Sequence, residues 1–329
     1  MPVMTISRTT RAAGALVALA LPIVLAVLLA LDTAAQASSV GTGCAGSYAW
    51  PVAPFTRQHP VRANFGDPRT RFAGPQSDDA LLAGDGTFSF HQGVDISAPD
   101  GSPVYAVNSG RVVRARGGRV TVDCGNGRSF QYWHIEPAAR VGQHAVAGKT
   151  LLGFIQPKRE HIHLTQLENN RAVNPLAAGN ISPYRDSTTP RVLGISSRGA
   201  LRFVVGAVDT PALAVPGRWH GFPVSPALVT WRLERSGRVA LSGTTHDVRR
   251  VVPKNDRFWS TFARGTQQNW PIFAGRKLQG LPGVYLYRVA LDARAASDLI
   301  PGTYTLIVTA TDTRGNASTR KFPLDLSGS

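Results

Sequence analysis

Four residues in two short stretches have types and spacings that could do chemistry together. His91 and Asp95 stand four apart in "HQGVD", and His161 and His163 stand two apart in "HIHL". Along an extended strand, residues i, i+2 and i+4 point to one face, so each pair shares a face if its segment is a strand. Gly93 and the following Pro99 argue against a helix around the first pair. Imidazole and carboxylate together suit zinc, and three protein ligands plus a water make an open, catalytic site rather than a closed, structural one. Taken singly, either pair is as readily the polar side of an ordinary strand. The chain has no H-E-x-x-H, so a glutamate base of that kind is not expected.

The elements that must position these residues read as strands. From Arg62 to about Ala178, "SPVYAVNSGRVVRA", "RVTVDCGNGRSFQYWHI" and "HIHLTQL" alternate or carry β-branched and aromatic runs. Gly125-Asn126-Gly127 is a hairpin signal, and Arg69 to Phe88, polar and glycine-rich, reads as a surface loop. No helical period stands out. Residues 182–190, "SPYRDSTTP", read as a linker, and strand-like runs resume at Leu201, Ala227, Val284, Thr303 and Thr319. Short strands joined by turns such as Asp312 to Asn316 predict an antiparallel sandwich.

The stretch from Asn64 to Leu176 resembles the lysostaphin-type (LytM-like) zinc metallopeptidases, which cut peptide cross-links in bacterial cell walls. The matches come in order: Phe65-Gly66, "HQGVDISAPDGSPVYAVNSGRVV", "FQYWHI", "RVGQHAVAGKTLLG", "HIHL" and "NNRAVNPL", over about a third of the chain. The resemblance implies that His91, Asp95 and His163 bind one zinc ion and that His134 and His161 are catalytic histidines beside it. It implies a mainly β fold, an antiparallel LytM-like peptidase domain at residues 62–181. The "PGTYTLIVTATDTRGNAS" hairpin is similar to bacterial immunoglobulin-like modules, which implies an immunoglobulin-like β-sandwich over residues 191–329. The stretch before the H-x-H, "FIQPKREHIHL", departs from the family. It is short, and Lys158-Arg159 replace the small residues usual there. The function implied is an exported zinc metalloendopeptidase acting on peptidoglycan stem peptides or cross-bridges. The alternative is a non-catalytic wall-binding or regulatory module of the same fold.

Composition frames this reading. The 329 residues are 43% hydrophobic and 17% charged, a globular balance with room for two domains. A formal net charge of +16 favours an anionic partner, here the acidic polymers of a cell envelope. Arg8 and Arg11 precede an apolar run from Ala12 to Leu31, and Ala35-Gln36-Ala37 offers a cleavage site before Ser38. Residues 1–37 therefore read as a secretory signal peptide, with an uncleaved membrane anchor as the alternative. Residues 38–61 are a lead-in. An extracytoplasmic chain leaves nucleic acid out as a natural partner. Two cysteines in an exported chain, Cys44 and Cys124, suggest one disulfide, the alternative being two unrelated thiols. Trp219, Trp231, Trp259 and Trp270 could pack a core or stack on sugars.

Overall fold

The computed structural model describes residues 46–71, 87–198, 201–269, 280–291 and 297–327. The export signal and Cys44 fall outside these, as does Trp270. Among the described residues, no helix is long and apolar enough to cross a membrane. Residues 44–329 form one compact unit.

The fold is mainly β, with antiparallel sheets. The largest sheet runs in the order β1 (Val61–Ala63), β4 (Val94–Ser97), β12 (His161–Glu168), β8 (Arg128–Trp133), β7 (Arg119–Gly125), β6 (Gly110–Arg116) and β10 (His144–Ala145), with β13 (Arg171–Val173) also on β12. Strand alternation sorts its side chains. Ile162 and Leu164 on β12, Phe130 and Tyr132 on β8, and Val94 and Ile96 on β4 are fully buried in one core. The residues between them, His161, His163, Gln131, Trp133 and Asp95, take the other face. A second, three-stranded sheet of β5 (Pro103–Tyr105), β11 (Leu151–Ile155) and β9 (Ile135–Pro137) closes that core through Val104, Leu152 and Ile155. Between β7 and β8, Asn126 and Gly127 adopt φ of 52° and 73°, the left-handed pair a two-residue type I′ hairpin requires.

Two features differ from the sequence reading. The ends of the expected 69–88 loop are strands, β2 (Pro68–Arg71) paired with β3 (Thr87–Phe90). The pattern "PRTR" is too short and polar to announce a strand, and cross-strand pairing supplies what periodicity lacks. The lead-in, by contrast, is part of the core. Trp50 is 1% exposed, Tyr48 bridges to Ile181, and its hydroxyl donates to Gln166 Oε1 at 2.6 Å.

Beyond the linker, a sheet of β14 (Arg191–Ser197), β15 (Arg202–Val208) and β18 (Leu286–Ala290) and a sheet ordered β17 (Arg238–Asp247), β16 (Leu228–Arg235), β19 (Thr303–Thr311) and β20 (Ala317–Asp325) share a core of Phe203, Val205, Val229, Trp231, Leu233, Tyr287, Leu306 and Val308. The two cores interlock. Phe90, at the end of β3, lies in the second core against Phe258 and Phe262, while Ala227 and Val248 from beyond the linker lie in the first. Gly66 has φ of 86°, and a Cβ there would come within 2.6 Å of Val248, so glycine is needed for both conformation and space.

Candidate metal centre

β12 lies between β4 and β8, with His163 opposite Asp95 on one side and Trp133 on the other. His91 follows β3 and is held by its own backbone, whose N–H donates to the Asp67 carbonyl at 2.9 Å and whose carbonyl accepts Gly66 N–H at 2.8 Å. Three donor atoms converge. His91 Nε2 is 2.8 Å from His163 Nδ1 and 3.1 Å from Asp95 Oδ1, and His163 Nδ1 is 3.0 Å from Asp95 Oδ1. A triangle of about this size is what three ligands 2.0–2.2 Å from a common ion present.

The partners of these groups fit a cation at that point. His91 Nδ1 lies 2.8 Å from the Asn64 carbonyl. A carbonyl only accepts, so Nδ1 carries the proton and a neutral His91 presents a bare Nε2. His163 Nε2 is 2.9 Å from Thr165 Oγ1, leaving Nδ1 to face the other two. Asp95 Oδ2 accepts from Arg69 Nη2 at 2.9 Å, freeing Oδ1. The bare His91 Nε2 and Asp95 Oδ1, 3.1 Å apart, present lone pairs to one point, as ligands of a shared cation do, and such outer hydrogen bonds are how metal ligands are oriented. Burial pushes His91 down to about 3, helped by the Arg69 charge. Burial alone would raise the Asp95 carboxyl, yet His91, His161 and Arg69 hold it well below the usual carboxylate range. Neutral imidazoles and a charged carboxylate are the forms that ligate.

His134 and His161 come together beside this triad, their ring centroids 4.7 Å apart, with His134 6.2 Å from His163. His134 leaves β8 at φ of 68°, its N–H on the Gly118 carbonyl at 2.8 Å and its carbonyl accepting from Gln156 at 2.9 Å. That left-handed turn carries the ring off the strand direction. Burial pushes His134 down to about 4 and His161 well below its ordinary value. His161 Nδ1 lies 2.7 Å from Arg62 Nη2 and 2.5 Å from the Arg159 carbonyl. One only donates and the other only accepts, so Nδ1 serves one of them at a time. Arg62 is 5% exposed, and its guanidinium stacks 3.8 Å from the centre of the Trp219 ring.

The triad opens into a groove of about 610 Å³ lined by Gln131, Trp133, His134, Thr165, Arg69 and Asn255, among others. The sequence does not place Asn64, Arg62, Arg69, Thr165 and Asn255 at the site, and it offers Trp219 only to a core or to sugars. Thr165 continues the alternating face of His161 and His163, whereas the others reach the site through a sheet register or a contact across the linker. The "QPKRE" stretch that departs from the expected pattern is built on Asp100, whose carboxylate accepts the backbone N–H of Lys158, Arg159 and Glu160 at 2.5, 3.0 and 2.7 Å. Cys124 is disulfide-bonded, and its expected partner Cys44 lies outside the described residues. A second carboxylate group, Asp186, Asp209 and Asp312, converges away from the groove. Trp231 is a core residue and Trp259 packs against that core.

Residues 89–175 match the model of Peptidase family M23. Comparison with curated proteins finds no match. Among solved structures, a zinc-containing peptidase from Vibrio cholerae is 22% identical, with 40% of this chain and 39% of that one covered and a TM-score of 0.32. LytU is 24% identical over 37% of this chain and 85% of its own, at 0.26. The solution structure of lysostaphin is 14% identical over 82% and 90%, at 0.29. The chain thus spans well under two thirds of the Vibrio cholerae peptidase's length.

Proposed function

We propose that this chain, whose residues 89–175 match the model of Peptidase family M23, is an exported LytM-like zinc metalloendopeptidase that hydrolyses peptide bonds in peptidoglycan stem peptides or cross-bridges. The observation that carries the reading is the convergence of His91 Nε2, Asp95 Oδ1 and His163 Nδ1 within about 3 Å of one another at the floor of an open groove. These three would hold the ion. Zinc there would polarise the scissile carbonyl as a Lewis acid and acidify a water molecule. His134, exposed to the groove and neutral, can accept a proton from water or donate a hydrogen bond to the developing oxyanion. His161 sits one ring behind it. Arg62 Nη2 and the Arg159 carbonyl, both on its Nδ1 side, would hold its ring in place. Trp133, its indole N–H on Gln131 Oε1 at 3.2 Å, forms a stiff groove wall against which an extended peptide can lie.

The test is direct. Purified protein should contain about one zinc per chain by elemental analysis, release new amino termini from purified peptidoglycan, lose that activity to a chelator and regain it with added zinc. Protein that binds no zinc and cuts no wall peptide after zinc loading would overturn the proposal.

A further inference from the structure

Charge in the groove is unevenly spent. Among the described residues lining it, Arg69 and Asp95 are the only ones with a formal charge. They face each other through Nη2 and Oδ2 at 2.9 Å, so they cancel, and an ion held by the triad would leave the groove electropositive. Arg69 has five N–H donors. One meets Asp95, and no second protein acceptor lies within hydrogen-bonding distance among the described residues. Its side chain is 26% exposed and lines the groove. Asn255 lines the same groove, its amide oxygen held by the backbone. Asn255 Oδ1 accepts the Phe90 backbone N–H at 3.3 Å, so the amide turns its NH₂ away from that contact. The other hydroxyl and amide side chains of the described lining, Ser89, Gln92, Gln131, Thr165 and Asn170, are neutral.

Resting on the peptidase reading, we infer that this groove selects peptides carrying a free carboxylate beside the scissile bond, with Arg69 as the residue that binds it and Asn255 as a second donor. A guanidinium with open N–H groups in a half-buried cleft recognises a carboxylate by paired, charge-assisted hydrogen bonds. An uncharged glycine-rich bridge offers it nothing and leaves it desolvated. The carboxylate has two chemical sources, a chain-terminal α-carboxylate and the second carboxylate of a diacid residue, and both meet the same donors.

Zinc-loaded full-length protein should be given matched peptides whose carboxylate, terminal in one pair and on a diacid side chain in the other, is free or converted to carboxamide. The wild type should favour at least one acid over its amide by about tenfold or more in kcat/KM. Arg69→Gln should bring that ratio close to one, chiefly through KM, and Arg69→Lys should retain part of it. The pair that shows the preference identifies the source. Because Arg69 also touches Asp95, the acid-to-amide ratio is the readout rather than rate. Calorimetric binding of hydrolysis-resistant acid and amide analogues runs in parallel. Loss of all cleavage with acid-selective binding intact would sink the peptidase reading alone, whereas equal kcat/KM or equal binding for acid and amide in the wild type overturns this inference.

Discussion

At the scale of single residues, the two kinds of histidine should separate on mutation. His163 contributes a donor atom to the triad and His134 does not. His163→Ala should lose both zinc and activity, whereas His134→Ala should lose most activity, about a hundredfold or more, and keep about one zinc per chain. Loss of metal from both variants would mean that His134 belongs among the ligands. A different histidine should govern acid stability. His246 is 1% exposed among the rings of Phe90, Phe262 and Tyr287, and burial pushes it down to about 4. The unfolded chain binds that proton near pH 6.5 and the folded chain does not, so stability is present above pH 6.5 and drains away as pH falls toward 4. The loss amounts to about 3 kcal/mol. His246→Phe should flatten the fall of Tm between pH 7 and pH 4.5 relative to wild type, and an unchanged slope would count against this account.

At the scale of elements, the spacing motifs are consequences of one three-strand register. His-x-His is the groove face of β12, and Asp95 stands opposite its second histidine. The glycine in "HQGVD" is there for space. A Cβ at Gly93 would collide with the Leu164 carbonyl and come within 2.7 Å of His163 Nε2 and 2.9 Å of Thr165 Oγ1. Gly93→Ala should lower Tm through overpacking and weaken zinc binding by about tenfold or more by displacing the Thr165 partner of His163. Unchanged affinity in a calorimetric titration would refute that. Alternation, the hairpin at Asn126-Gly127 and the donor residues were legible because they are local: they depend on neighbours two to four positions away. Apart from Thr165, two positions after His163, the partners of those donors were not. Arg69 reaches Asp95 across 26 positions and Arg62 reaches His161 across 99, by register and packing that no short window contains. The β2–β3 pair escaped for the same reason.

At the scale of the whole molecule, the segment that carries the triad leans on the chain beyond the linker. Asp67, which accepts the Asn64 N–H, is itself bound by Ser225 N and Oγ at 2.8 and 2.6 Å, so the turn that supplies the His91 acceptor is tied down from beyond position 190. Phe90, Ala227 and Val248 cross between cores, and Trp219 covers Arg62. A fragment of residues 46–190 should therefore expose Phe90 and Phe65, show weakened near-ultraviolet dichroism and fail to retain zinc, while the full chain keeps its dichroism and its metal. A fragment that folds and binds one zinc would show that the crossing contacts are dispensable. The linker reads in sequence as a boundary because its composition is that of a loop. Contacts across it leave no compositional trace.

Phe90 and His91 are consecutive, one ring seated in the far core and the next aimed at the triad. The peptide bond between them is thus a mechanical link. A single cut in the C-terminal half that lets its core loosen would release Phe90, swing His91 off its Asn64 anchor and silence a centre that the cut never touched. For a protein proposed to sever the wall that contains its own cell, that arrangement makes inactivation easier than piecemeal escape. It also means that the segment carrying the triad should not work as an independent cassette, because the unit that holds the triad is the pair of interlocked cores.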